Sequence, residues 1–335
     1  MTVASKHRSA WERGGTAVEA TSASSAAEQA GLNWTVRTGV LEAVSTPLII
    51  DQHGVTPATY VEVPKKQAIL RNDTNAVIGI VGTKYKVVQN MEVFNALDTL
   101  VDSGDARYTA AGEFNGGSNI WMLLELPQGI AVANDPHAAF LLVKTSHDGS
   151  SSVVIKPVIE RLYCHNQING LISKGFARGG KKFNDYTYRM THTTNQELSI
   201  ADIRNITNLT YTAIQDYELT ADVLLQRKMT REQTVNFFKA VWPLPTTIED
   251  KPYDLLTRGE RKQQTIAVDA RAKAWAIYSE SETQENIRDT AFGAWQAVIE
   301  YADHYATGGA SRLAAATLSG RNDKVKTKAL SLLTV

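Results

Sequence analysis

Cysteine is almost missing from this chain: Cys164 is the only one in 335 residues. That excludes an intramolecular disulfide and suggests a reducing compartment. No apolar run approaches the length that spans a bilayer, so no membrane partner is expected. Met1 to Arg13 contains Lys6, His7 and Arg8 with no apolar stretch behind them. A secretory signal is therefore not expected, and the location is read as cytoplasmic. Net charge is missing too, because Lys+Arg 35 balances Asp+Glu 35. Any surface for a polyanion has to be a local patch.

The usual chemical motifs are also lacking. There is no Cys-x-x-Cys and no His-Glu-x-x-His. Cys164 and His165 are neighbours on a predicted strand, so they point to opposite faces and cannot share a metal. A buried thiol beside a partly exposed imidazole is the plainer reading. The glycine pairs Gly14-Gly15, Gly116-Gly117, Gly179-Gly180 and Gly308-Gly309 match neither a P-loop nor a dinucleotide fingerprint. Glu113, Glu125 and Glu160 fall on predicted strands, and Glu300 and Asp303 share one helical face. Solvated faces account for all five. His192 and His304 are expected on helix surfaces or at caps. No catalytic residue, metal or cofactor is expected.

What is present is a clear change of pattern. Residues 1–30 are rich in Ala, Ser, Thr and Gly and read as a mobile arm, with Ser24 or Ser25 capping a short helix that stops at Gly31. Residues 31–195 read as an α+β core. Its strand signals are Trp34 to Arg37, Leu48 to Ile50, Tyr60 to Val63, Gln67 to Arg71 and Val77 to Val81. Asn90 to Val101 has helical spacing with Asn90 as its cap. Tyr108 to Phe114 and Ile120 to Leu126 follow as strands about the tight connection Asn115 to Ser118, the second closed by Pro127. Ala139 to Ser146 and Ser152 to Pro157 form a hairpin around Asp148-Gly149. From about Asn195 the period becomes helical. Thr230 and Gln233 form a capping box, and further helices are expected over Gln264 to Tyr278, Glu285 to Tyr305 and Lys324 to Leu333. The fold class is α+β: a twisted antiparallel sheet with a packed helix, then a helical region over 196–335.

One segment concentrates cations and rings. Lys174, Arg178, Lys181, Lys182 and Arg189 supply charge against Asp185 alone, and Phe176, Phe183, Tyr186 and Tyr188 supply aromatic faces. Cations attract phosphates, and unpaired bases stack on rings. The plainer reading is a solvated loop with its rings packed on the core. Arg258, Arg261 and Lys262 form a second basic group, and Arg312, Arg321, Lys324, Lys326 and Lys328 a third. Helix-terminus charge and solubility explain both.

Several blocks resemble a known family. They are Ala30 to Val36, Ile69 to Thr74, Val81 to Asn90, Gly112 to Gly117, Arg161 to Asn166, Arg189 to Thr193 and Thr290 to His304. In this order they are similar to the phage/plasmid-like protein family, a domain of unknown function. Members often carry a Pro-Trp-His-Gly type block near the N-terminus, where this chain has Ala10 to Gly15. The resemblance implies a phage, prophage or plasmid setting and no assigned activity. By fold-level analogy, the order of helix, antiparallel strands and helix is also that of ring-forming single-strand annealing proteins. The expectation is a single-stranded DNA-binding, strand-annealing protein used in recombination, acting as a homo-oligomer and possibly a ring. Lys174, Arg178, Lys181, Lys182 and Arg189 would contact phosphates, and Phe183, Tyr186 and Tyr188 would stack on bases. The alternatives are a structural or host-factor-interaction protein without enzymatic activity, and a nuclease using scattered carboxylates.

Overall fold

Alternating apolar residues build the centre of this molecule. The computed structural model describes residues 8–52, 54–169, 186–190, 192, 200–306 and 309–334. Twelve strands occur among them: β1 (Thr16–Ala20), β2 (Val36–Thr46), β3 (Ile49–Asp51), β4 (Gly54–Thr56), β5 (Thr59–Arg71), β6 (Val77–Gly82), β7 (Arg107–Phe114), β8 (Asn119–Val132), β9 (Asp135–Ser146), β10 (Val153–Arg161), β11 (Asn166–Asn169) and β12 (Tyr188–Met190). The main sheet has 7 strands in the order β1-β7-β8-β9-β10-β11, and β12 pairs with the same side of β10 as β11 does. All its pairings are antiparallel. A second sheet, β2-β5-β6, has 3 strands, and β3 pairs with β4 at the tip of the long β2–β5 hairpin.

The helices are α1 (Ala10–Gly14), α2 (Ala23–Gln29), α3 (Asn90–Phe94), α4 (Asp98–Asp102), α5 (Ile200–Gln226), α6 (Arg231–Val241), α7 (Thr246–Glu249), α8 (Arg258–Glu280), α9 (Ala291–Glu300), α10 (Ala310–Ser319) and α11 (Asp323–Leu333). The architecture is α+β. One face of the sheet, carrying Met122, Leu124, Leu141, Val143 and Ile155, packs into a large core with α5 and α9. The opposite face carries Trp121, Leu123, Phe140, Leu142 and Val158, and is covered by α1 and α10. Every residue of α9 is buried, as expected for a helix apolar on nearly all sides.

Local chemistry moved several boundaries. Residues 8–30 do not form a free arm. Ser9 caps α1, Trp11 is buried with its ring 4.7 Å from that of Phe140, and β1 pairs with β7. Ser22, rather than Ser24 or Ser25, caps α2 by accepting from the Ser25 amide at 3.3 Å. Gln89, rather than Asn90, precedes α3. The Asn90 amide is occupied elsewhere, donating to the carbonyls of Leu32 (2.9 Å) and Trp34 (3.2 Å). Strand β8 continues through Pro127, because the ladder to β9 shifts register between Leu126 and Ile130 and leaves the proline unpaired. The helix expected from Glu285 starts at Ala291 instead, capped by Thr290, after Asp289 turns the chain at φ +60°. It ends in a π-helical turn over Tyr301–Tyr305.

Candidate functional site

Of the basic and aromatic segment, only its last residues are described, and they pair with the outer edge of β10. Lys174, Arg178, Lys181, Lys182 and Phe183 lie outside the described residues. Tyr186, Tyr188 and Arg189 are described. Tyr186 and Tyr188 are half-buried and rest on α5: the Tyr186 hydroxyl donates to Asp216 Oδ2, and the Tyr188 hydroxyl is hydrogen-bonded to Asp202. Burial, with help from these carboxylates, pushes both phenols up. Arg189 is exposed.

Arg189 belongs to a group of cations spread across three strands. Lys144 on β9 and Arg189 on β12 both pair with Val154 of β10, from opposite sides. Residues directly opposite in a ladder project from the same face. Lys156, two residues along β10, projects from that face as well. Burial pushes the Lys144 amine down to about 8, and the charge of Lys156 adds to this. Lys156 is lowered by burial, against the charge of Asp323. The junction between α10 and α11 holds both amines. Lys144 Nζ donates to the Ser319 carbonyl at 3.0 Å, and Lys156 Nζ lies 3.5 Å from Asp323 Oδ2. Gly320 makes this approach possible. It has φ +78°, and a Cβ there would lie 2.6 Å from Asp323 Oδ2 and 3.3 Å from Lys156 Nζ. Arg321 and Lys324, both exposed, flank Asp323 in sequence. Sequence reasoning missed Lys144 and Lys156, although their position on the polar phase of two otherwise apolar strands was a usable signal.

A second group sits at the other end of β10. Glu160, Glu300 and Asp303 are all buried, which corrects the expectation of solvated faces. Lys326 is buried too, and its charge serves neither solubility nor a helix end. Lys326 Nζ lies 2.6 Å from Asp303 Oδ1 and donates to the Gln167 carbonyl at 2.6 Å. Asp303 Oδ2 accepts from the Gln167 amide at 3.0 Å. This pair thereby satisfies the amide and carbonyl of Gln167 on the outer side of β11. Thr317 and Arg13 add hydrogen bonds to Asp303. Glu160 pairs with His165, which turns the chain between β10 and β11 at φ +52°. Burial pushes the Glu160 carboxyl up to about 7. Burial opposes the charged His165, but the hydrogen bond and charge of Glu160 outweigh it and raise the imidazole.

Arg161 points the other way, into the core. It pairs with Asp135 at 2.6 Å, donates to the Thr283 carbonyl at 2.6 Å and approaches Cys164 Sγ at 3.6 Å. Burial pushes the Cys164 thiol far up, so it is no nucleophile. His165 is partly exposed beside it, as the sequence suggested. His192 is not on a helix surface. It is buried, stacked on Tyr85 at 4.8 Å, with Nε2 3.2 Å from Thr145 Oγ1. His304 is half-buried on the π-helical turn. Among the described residues no group of three or more His, Cys, Asp or Glu is arranged to hold a metal. No described helix is long and apolar enough to cross a membrane.

The sequence blocks quoted above meet in space. The Arg71 guanidinium stacks 4.1 Å over the Trp34 ring and reaches Glu113 at 3.2 Å. The Asn166 amide donates to the Gln296 side chain at 2.9 Å and to its carbonyl at 3.0 Å. These positions are joints between elements of the fold. No curated protein and no solved structure matches the chain. A family model covers residues 77–332. That span runs from β6 to the end of α11, through the cation group and both buried ionic clusters, and the chain belongs to this family, the domain of unknown function DUF932.

Proposed function

We propose that the protein binds single-stranded nucleic acid along the β9–β10–β12 edge and acts as a homo-oligomer in strand annealing, in a phage or other mobile-element setting. The observation that carries this reading is the alignment of exposed Arg189 with half-buried Lys144 on one sheet face, with Lys156 buried behind them against Asp323. A chain of balanced charge gains nothing in stability by placing like charges on adjacent strands. A phosphate backbone would relieve that repulsion. The segment with Lys174, Arg178, Lys181 and Lys182 lies in sequence between β11 and β12, which both pair with the same side of β10. The Tyr186 and Tyr188 hydroxyls are held by carboxylates, so any stacking uses ring faces alone.

Fluorescence anisotropy with labelled single-stranded and duplex DNA tests this. R189E/R321E is expected to weaken single-strand binding more than tenfold, and Lys181 and Lys182 changed together to Ala to weaken it further. Unchanged binding in both variants removes the site from this edge. A second reading is a structural or host-factor-interaction protein without nucleic-acid affinity. The exposed apolar β2–β5 hairpin favours it, and absence of binding to any nucleic acid at physiological salt would select it.

A further inference from the structure

Among the described residues, the β2–β5 hairpin is anchored in the core at its base by Val36, Ala68 and Ile69, and its outer part extends away from that core. Val40, Val44, Ile50, Val55, Tyr60 and Val61 each leave more than half of their surface exposed, and they occur on both faces. A two-stranded ribbon bare on both sides is marginal in water. Its exposed large apolar side chains amount to on the order of 800 Å², the share one partner contributes to a standard interface. Strand β2 is also a sheet edge along its length.

The charges on the hairpin indicate what covers it. Glu42 and Glu62 are directly opposite each other, an unfavourable pairing of like charges. Lys65 and Lys66 follow where β5 bulges out of register with β2, Lys65 at φ +60°. All four are exposed, and none forms an ion pair among the described residues. An acidic pair and a basic pair therefore lie about 10 Å apart along one arm. Two such arms, side by side in opposite directions, set the acidic pair of each against the basic pair of the other.

We propose that this arm is the self-association surface of the protein and that its occupant is the arm of a second copy of this chain. This names the contact behind the homo-oligomer proposed above and rests on that part of the reading.

Light scattering on the full chain without nucleic acid gives the test. The wild type is expected as a dimer or larger. E42K/E62K and K65E/K66E are each expected to fall to monomer with unchanged near-ultraviolet circular dichroism. Mixing the two variants is expected to restore association, because their arms then carry opposite charge. A monomeric wild type, unchanged mass in either variant, or a mixture that stays monomeric overturns the proposal. A monomer that still binds single strands would strike the interface alone. A wild type that associates through the arm but binds no single strand would strike the nucleic-acid site alone.

Discussion

Lys326 and Asp303 form a buried ion pair, Nζ to Oδ1 at 2.6 Å, that bonds to the amide and carbonyl of Gln167 on the outer side of β11. The pair joins three elements far apart in sequence. The π-helical turn presents Asp303, α11 presents Lys326, and β11 supplies the backbone. Inserted π turns are frequent where a side chain has to be aimed at a functional or structural target.

Removing one partner of this pair leaves a charge buried without compensation. Lys326→Met is expected to cost about 3–5 kcal/mol of unfolding free energy, read from urea titration. Lys326→Met combined with Asp303→Leu is expected to lose less than the single variant, because no charge is then stranded. Equal losses in the single and double variants would mean that the pair contributes only packing.

Glu160 and His165 predict how stability responds to pH. Both groups hold protons more tightly folded than unfolded, Glu160 with its carboxyl pushed up to about 7 and His165 with its imidazole raised. Their contribution is complete below the unfolded values and is lost as pH rises through the folded ones. His137 and His147, both lowered to about 4 by burial, act in the opposite sense below about pH 6.5. Comparison with Glu160→Gln isolates the pair. The difference in unfolding free energy between wild type and variant, read from urea titration, is expected to shrink between pH 5 and pH 8, by on the order of 1–3 kcal/mol. A constant difference over that range would contradict the assignment.

At the proposed nucleic-acid site, Lys144 is expected to make affinity depend on pH. Its amine is held at about 8 when the site is free. A phosphate nearby favours the charged form, so binding takes up a proton. Single-strand affinity is expected to fall more steeply between pH 7 and pH 9 for the wild type than for Lys144→Arg, whose guanidinium stays charged. Each phosphate neutralised contributes a slope of about −0.7 in log affinity against log salt. Loss of Arg189 is expected to flatten that slope by roughly one such step, as measured by anisotropy across a salt series.

Much of the fold was legible along the chain. The apolar runs Ile120 to Leu126 and Ala139 to Ser146 form strands where expected, and the Asn115 to Ser118 connection joins β7 to β8 as expected. Thr230 and Gln233 make the predicted capping box, Gln233 N to Thr230 Oγ1 at 3.2 Å. These features depend on residues within a few positions of one another, so a local reading suffices. The candidate site was legible only at Arg189 and the basic segment, through composition.

The remainder was decided in three dimensions. Glu160, Asp303 and Lys326 look like surface charges in a helical or strand period, because periodicity records how many faces are apolar and not which polar residue finds a partner. Their burial follows from contacts across 136 residues from Gln167 to Asp303 and 159 from Gln167 to Lys326. Lys144 and Lys156 join Arg189 through strand register alone. The amino-acid sequence by itself determined the α+β class, the sheet and its hairpins, because propensity, turns and caps act locally. Only the tertiary structure decided which charges are buried and paired and which line one face, because those pairings require distant segments to meet where water is excluded.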